Sequence, residues 1–286
     1  MGALDGRVAV VTGGGDGLGR AEALLLAAEG AKVVVNDLKK ATEAVGEIVA
    51  AGGHAIAVEG GVSDPGMGRA MVDAAVQNFG DLHIIVNNAG FVRDAMLVNM
   101  TDEQFDSILD VHLRGVFTLT RAAAGYWRDR AKAGQTADRS IINTTSGAGL
   151  HGNPGQFNYS AAKAGSAMMV VTAAAELKRY GVRANAIAPV AGTAPVLATP
   201  GLGEACRLLQ AGMLATYVTD WLGVETIRRF KVRFANQVWP GDELTCAATI
   251  TAISDDPEGR RVTVDLLCTR QDGSAALAGD AEFVLP

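Results

Sequence analysis

Short apolar runs rich in β-branched residues recur along the first two thirds of the chain, with longer stretches of helical periodicity between them. This alternation is typical of βαβ units and predicts an α/β fold with a doubly wound parallel sheet. Six strands are predicted: Val8–Val11, Lys32–Val35, Ala55–Val58, Ile84–Val86, Ser140–Asn143 and Val182–Ile187. Helices are predicted near Leu18–Ala28, Ala41–Ala50, Met67–Phe79, Asp102–Lys132 and Tyr159–Tyr180.

The pattern changes after residue 189. A connector rich in Pro, Gly, Ala and Thr (189–203) precedes one predicted helix, 205–222, and then no further helix. The residues from Arg228 to Phe234 alternate between cations and apolar side chains, which predicts a strand, and three more strands follow near 243–254, 260–269 and 276–284. We therefore predict two domains, 1–196 and a smaller α+β domain, 205–286.

Composition and charge exclude several classes of function. The chain has 286 residues, of which 31 are acidic and 25 basic, so a nucleic-acid partner is not expected. The three cysteines form no CxxC pair, which argues against a disulfide framework or a metal site and favours a reducing, cytoplasmic location. We expect no signal peptide, and no membrane span, because the uncharged stretch 184–203 contains three prolines.

A glycine-rich loop follows the first predicted strand and opens the first helix. Glycines there let a backbone approach a pyrophosphate at the helix N-terminus, and Asp37 ends the next strand, where a carboxylate can bind both ribose hydroxyls. A carboxylate at that place also repels a 2′-phosphate, so NAD is favoured over NADP. The candidate cofactor residues of this region are Gly13, Asp16, Gly17, Leu18, Gly19 and Asp37.

Ser146, Tyr159 and Lys163 are the candidate catalytic residues. Tyr159 and Lys163 lie one helical turn apart and therefore share a face. An ammonium beside a phenol favours the phenolate, so Tyr159 is expected to have a lowered pKa and to take the proton of an alcohol whose hydride goes to a nicotinamide. Ser146 is expected to form a hydrogen bond with the oxygen of the same alcohol.

These motifs together with Asn87-Asn88-Ala89-Gly90 resemble the short-chain dehydrogenase/reductase family over about residues 5–196. The resemblance implies a Rossmann-type domain, an NAD(P) cofactor and proton transfer by tyrosine. It implies that Gly13, Gly17 and Gly19 cradle the pyrophosphate and that Lys163 also binds the nicotinamide ribose. By the same resemblance, further cofactor contacts are Asn87, Ala89, Gly90, Tyr159, Pro189 and Thr193.

Three features depart from the family pattern, one of them the Pro-Gly motif after the sixth strand, which here reads Pro189-Val190-Ala191-Gly192-Thr193. His112 stands where the family has a catalytic Asn, and Gly61 stands where an adenine-contacting Asp is usual. The histidine and the run Val34–Leu38 resemble the (3R)-hydroxyacyl-CoA dehydrogenase part of the peroxisomal multifunctional enzyme type 2. This similarity implies a CoA thioester substrate, with an imidazole available for a proton relay.

The second segment resembles the later half of a MaoC-like hot-dog hydratase domain, most clearly in the run Phe234-Ala235-Asn236 to Trp239-Pro240-Gly241-Asp242. The Asp-x-Asn-Pro-x-His stretch that supplies the proton-handling groups of that family has no counterpart here. Hydratase activity is therefore disfavoured. Covering the dehydrogenase site, binding an acyl chain and forming a dimer interface stay open as roles.

The leading hypothesis is an NAD-dependent dehydrogenase of (3R)-hydroxyacyl-CoA that forms homo-oligomers through the helices 102–132 and 158–180, as the family often does. A hydroxysteroid or another secondary alcohol is the rival substrate. A non-catalytic acyl-CoA-binding or assembly protein is the alternative from a different class, because the seventh strand that the family has is not found in the sequence.

Overall fold

Six parallel strands form the sheet of the first part of the molecule, as the apolar runs predict. In the computed structural model, which describes residues 2–189, 214–215, 217–236 and 243–286, their order is β3-β2-β1-β4-β5-β6. The reversal of strand order between β1 and β4 opens a crevice at the carboxyl ends of these strands, where ligands bind in such sheets. The strands are β1 Val8–Thr12, β2 Lys32–Asp37, β3 His54–Glu59, β4 Ile84–Asn87, β5 Arg139–Thr144 and β6 Val182–Ile187.

Helices cover both faces of this sheet. Successive residues of β1 point to opposite faces, so Val10 packs in one core with Leu119 and Trp127, and Val11 packs in another with Ile48. The helices are α1 Gly17–Ala28, α2 Ala41–Ala50, α3 Met67–Phe79, α4 Asp102–Leu109, α5 Val116–Lys132, α6 Gly147–His151 and α7 Phe157–Leu177.

The helix predicted over 102–132 is confirmed at both ends, but its middle is π-helical rather than α-helical. A π-helical segment, Asp110–Gly115, joins α4 to α5. Such a segment widens the helix by one residue per turn and is frequent at functional sites, and here it carries His112. The apolar periodicity of the flanking turns continues through it, so the sequence pattern gives no sign of the interruption.

The second part of the molecule is a separate four-stranded antiparallel sheet, and the chain divides into two compact units between Pro189 and Val190. Residues 214–215 and 217–222 are helical, and Leu214 and Val218 pack in its core with Val264 and Phe283. The four strands, in the order β7-β10-β9-β8, are β7 Ile227–Phe234, β8 Leu244–Asp256, β9 Gly259–Arg270 and β10 Ala275–Leu285.

The strands predicted for this segment are confirmed, with ends that differ by one to two residues. On β7, Phe230 and Val232 face the core while Arg229, Lys231 and Arg233 are exposed, as the alternation predicts. Thr193, most of the predicted helix 205–222 and the turn 239–242 lie outside the described residues. The domain limits therefore stay predictions. Within the described part of the chain, no helix is long and apolar enough to cross a membrane.

Candidate active site

The glycine loop between β1 and α1 is narrow, and its glycines are required by geometry. Gly13 and Gly17 have φ angles of 62° and 53°, which other residues rarely adopt. A Cβ at Gly19 would lie 2.2 Å from the carbonyl oxygen of Gly13. Asp16 caps the helix, its Oδ1 accepting a hydrogen bond from the Gly17 amide at 2.7 Å, and Leu18 lies in the first turn. The loop thus presents bare backbone at a helix N-terminus.

Asp37 lies beside this loop in a fixed orientation. Its Oδ2 accepts a hydrogen bond from the Gly15 amide at 3.2 Å, and its Oδ1 accepts from the amides of Lys39 and Lys40 at 3.2 and 3.3 Å. The Lys40 ammonium pairs with the Asp16 carboxylate at 2.6 Å. The nearby cation is therefore engaged by Asp16.

The turn after β4 is tied to the glycine loop through Thr12. Its buried Oγ1 accepts hydrogen bonds from the amides of Asn88 and Ala89 at 3.0 and 3.1 Å, and the Asn88 amide group donates to the Thr12 carbonyl at 3.2 Å. Asn87 is placed differently: its Nδ2 donates to Asn143 Oδ1 at 2.9 Å within the core. Asn87 therefore ties β4 to β5, and its contact with a cofactor stays a prediction.

Ser146, Tyr159 and Lys163 converge above β5. Ser146 caps α6, its Oγ accepting a hydrogen bond from the Ala148 amide at 3.2 Å. Tyr159 and Lys163 share a face of α7, with Nζ 5.6 Å from the phenol ring centre. The buried Lys163 ammonium donates to the Thr144 carbonyl at 2.6 Å. The predicted constellation is thus assembled at the carboxyl end of the sheet.

The expected lowering of the Tyr159 pKa is not what the structure shows. Burial raises the pKa of this phenol; hydrogen bonding with Ser146 opposes the rise and the Asp94 carboxylate adds to it. Burial lowers the pKa of Lys163 to about 8. The charge of Lys163 alone would lower the Tyr159 pKa. Removing the phenol and the ammonium from water disfavours the charged form of each, and this effect is the larger one.

His112 lies against Tyr159. The two rings meet edge to face with 5.2 Å between their centres, and His112 Nε2 is 2.8 Å from the Phe91 carbonyl oxygen. Burial, with the Lys163 charge as a smaller cause, lowers the pKa of His112 to about 3, so the imidazole is neutral near pH 7. A Cβ at Gly90 would be 2.2 Å from the imidazole Cε1, so only glycine fits there.

Comparison with known proteins identifies the family, since residues 7–199 match the family model described as short chain dehydrogenase. The chain belongs to this family. It is therefore an oxidoreductase that uses a nicotinamide cofactor, NAD or NADP. The tyrosine and lysine on α7 and the glycine loop, identified above from residues and geometry, lie within the matched range.

Relatives of this short-chain dehydrogenase include enzymes named for hydroxyacyl-CoA. The hydroxyacyl-CoA dehydrogenase ChsB1 of Mycobacterium tuberculosis is 52% identical over 67% of this chain and 63% of its own length. The peroxisomal multifunctional enzyme type 2 of Drosophila melanogaster is 44% identical over 65% of this chain and 32% of its own length. A crystal structure of a short chain dehydrogenase from Mycobacterium avium, 52% identical, has a TM-score of 0.65 and covers 66% of this chain and 68% of the other.

Four residues of the dehydrogenase site escaped the sequence argument: Phe91, Asp94, Gln156 and Asn158. They join the segment after β4 to the first turn of α7, which are more than 60 residues apart in the sequence. The polar residues Asn153, Gln156 and Asn158 just before Tyr159 are the available signal in the sequence. Among the predicted cofactor residues, Pro189 lies two positions beyond the end of β6.

Proposed function

We propose that this chain interconverts a (3R)-hydroxyacyl-CoA and the 3-ketoacyl-CoA with NAD as the electron carrier. The observation that carries the proposal is the convergence of Ser146, Tyr159 and Lys163 at the carboxyl end of β5. Asp37 and the glycine loop lie at the ends of neighbouring strands in the same sheet. This arrangement supports one site for cofactor and alcohol.

The residues at the crevice fit a dinucleotide. A Cβ at Gly13 would be 2.8 Å from the Ala89 Cα, so the loop keeps its backbone accessible only because it is glycine. In this proposal Gly13, Gly17 and Gly19 hold the pyrophosphate, and Asp37 accepts hydrogen bonds from the adenosine ribose. The engaged Lys40 leaves the Asp37 carboxylate to disfavour a 2′-phosphate, which supports NAD.

The catalytic residues divide the proton chemistry. A nicotinamide held by the glycine loop and Asp37 would supply the acceptor for the hydride of the carbinol carbon. Tyr159 Oη takes the hydroxyl proton, Ser146 Oγ holds the same oxygen, and the Lys163 ammonium stabilises the phenolate. His112, being neutral, does not contribute a cation.

The names of the relatives and the apolar surroundings of the site support an acyl thioester. Phe91, Val92, Leu150 and Ile187 are exposed apolar residues on the segments that follow β4 and β5 and at the end of β6. A small polar alcohol would leave these side chains in water. The R configuration follows from the resemblance to the multifunctional enzyme.

The test is NADH formation from NAD with R and S 3-hydroxyacyl-CoA thioesters of several chain lengths and with a steroid alcohol, repeated with NADP. Oxidation of the R thioesters with NAD is expected. Turnover of the steroid alone would establish the rival substrate. No turnover, with a melting temperature raised by acyl-CoA and unchanged by NAD, would favour a binding or assembly protein. Hydration of enoyl-CoA without NAD would support the hydratase alternative.

We also propose that the chain forms a homo-oligomer and is located in the cytoplasm. A groove of about 1200 Å³ lies between α5 and α7, and Phe117 and Met168 on these helices are exposed. These are the helices through which the resemblance implies association. Light scattering on the native chain and on Met168→Glu tests this part, and an unchanged mass would contradict it.

A further inference from the structure

Residues Phe91–Ala95, the segment that follows the turn after β4, are largely exposed, yet buried polar side chains hold them from beneath. The first contact is that of His112, which is 2% exposed. Its Nε2 lies 2.8 Å from the Phe91 carbonyl oxygen, the distance of a good hydrogen bond. The Phe91 amide lies 3.3 Å from the same nitrogen, so the neutral imidazole bonds to Phe91 in either tautomer, as donor to the carbonyl or as acceptor from the amide.

Asn158 supplies the second contact. It is 0% exposed, and its Nδ2 donates to the Arg93 carbonyl at 3.1 Å and to the Gln104 carbonyl at 2.9 Å. Its Oδ1 accepts a hydrogen bond from the Tyr159 amide at 2.8 Å. One side chain therefore joins the segment to α4 and to the residue that carries the phenol.

Gln156, 7% exposed, supplies the third. Its Nε2 donates to both carboxylate oxygens of Asp94, at 3.2 and 3.1 Å, and its Oε1 accepts from Asn153 at 3.0 Å. Beside it the Ala95 amide donates to the Gly155 carbonyl at 2.9 Å. Gln156 and Gly155 thus connect the segment to the approach to α7.

Burying three polar side chains costs free energy unless each is hydrogen-bonded, and all three direct hydrogen bonds at one exposed stretch of five residues. That stretch presents Phe91 and Val92, which are 40% and 37% exposed. Because Asn158 and His112 also contact Tyr159, the backbone that carries these apolar side chains is held in a defined position relative to α7. An alcohol oxygen must lie at hydrogen-bond distance, about 2.6–3.2 Å, from its base for proton transfer, and a displacement of about 1 Å lowers the rate, so a rigid wall beside that base has a chemical use.

We propose that Phe91–Ala95 is the acyl-binding wall of this site, with Phe91 and Val92 contacting the acyl group, and that His112, Gln156 and Asn158 are positioning residues that hold the wall against Tyr159. The acyl group as the ligand of this wall rests on the proposed function. The hold on the segment, meaning the hydrogen bonds from His112, Gln156 and Asn158 to residues 91–95, does not depend on it.

An exchange of donor and acceptor tests the hold. Gln156→Glu places a carboxylate against Asp94 at alkaline pH and should release the segment, whereas Gln156→Glu with Asp94→Asn restores the hydrogen bond with reversed polarity and leaves Asn153 its acceptor. Hydrogen exchange of the peptide 91–95, which needs no substrate, should be faster in the single variant and return towards wild type in the double variant. Unchanged exchange in Gln156→Glu, or no rescue in the double variant, would overturn the hold.

The same two variants should change kcat/KM for the alcohol without changing the affinity for the cofactor. Gln156→Glu is expected to lower kcat/KM for the thioester by roughly 10- to 100-fold, because a displacement of about 1 Å has that effect. NAD affinity should be unchanged, and the double variant should recover most of the loss. A purely structural defect would lower NAD affinity as well and would sink the positioning role.

Val92→Asp tests whether the wall contacts the acyl group. The control is Val49→Asp, because Val49 is also exposed and lies on α2, outside the site. The Val92 variant should lose at least about tenfold in kcat/KM, since a carboxylate facing an acyl chain forfeits apolar burial and must be desolvated, and the loss should grow with chain length. Equal activity of the two variants would refute the wall. If thioesters are not substrates at all, the proposed function fails, and the comparison is made with whichever alcohol the enzyme oxidises.

Discussion

Asp81 is the shared acceptor of a charge cluster at the amino ends of β4 and β5, opposite the end of the sheet that carries the site. The Tyr126 hydroxyl donates to its Oδ1 at 2.8 Å and Arg139 Nη1 donates at 3.1 Å. The Arg139 side chain is 1% exposed and also donates to the Leu82 carbonyl. Replacing Asp81 by Asn leaves the guanidinium buried with no counter-charge from this acceptor.

The expected loss in the free energy of unfolding is large because the buried Arg139 guanidinium cannot be hydrated in the folded state. Removing one partner of a buried pair costs about 3–5 kcal/mol, and the lower part of that range applies here since the Asp81 side chain is 20% exposed. The control is Asp138→Asn, whose pair with Arg183 is well exposed and contributes about 0–1 kcal/mol. The two variants should therefore differ by about 2 kcal/mol or more in the free energy of unfolding of the first unit.

Hydrogen exchange of amides in β1, β4 and β5 measures that free energy without interference from the second unit, because core amides exchange only when their own unit opens. Burial alone would raise the pKa of Asp81, but hydrogen bonds from Arg139 and Tyr126 outweigh it and hold the pKa below its usual range. This stabilisation is present above the unfolded value of about 3.9 and is lost as pH falls through the folded value. In Asp81→Asn, the free energy of unfolding of the first unit should therefore fall less as the pH is lowered. Equal costs for the two variants would refute the reasoning.

Three further predictions concern the site. Asp37→Ala should weaken NAD binding by about tenfold or more and raise kcat/KM with NADP relative to NAD, and an unchanged ratio would contradict the role of the carboxylate. Tyr159→Phe should lower turnover by about 10²- to 10⁴-fold while NAD still raises the melting temperature; loss of both would make the tyrosine structural. Asp94→Asn should move the acid limb of the pH profile of kcat/KM to lower pH. The Asp94 carboxylate raises the Tyr159 pKa, and the other groups facing the phenol, Lys163 and His112, are unaltered; a limb that stays in place would exclude this effect.

The strands and the catalytic motif could be predicted from the sequence because their signals are local. Buried parallel strands are continuous β-branched runs, as in Val8–Val11 and Val33–Val35, and their order follows from right-handed crossovers. Tyr159 and Lys163 share a helix face by spacing alone. Each of these inferences needs only the period of the element that carries it.

The unpredicted features depend on contacts between distant residues. The amide of Asn87 donates to Asn143 on the neighbouring strand, a contact that the motif alone does not predict, while its role towards the cofactor stays a prediction. The π-helical segment around His112 leaves the apolar pattern of the flanking turns unbroken, and the rise in the Tyr159 pKa comes from burial. Neither a motif nor a period contains that information.

The placement of polar groups explains why the motifs are recognisable while their supports are not. At the carboxyl ends of the strands, the side chains of Thr12, His112, Gln156 and Asn158 direct hydrogen bonds at the loops around the site. The glycine loop itself contributes no side chains at Gly13, Gly17 and Gly19, so its backbone stays open to close approach. Supports of this kind can change identity wherever another donor or acceptor reaches the same backbone group. The groups that meet cofactor and alcohol have no such freedom, since their position and their acidity are both fixed by the chemistry.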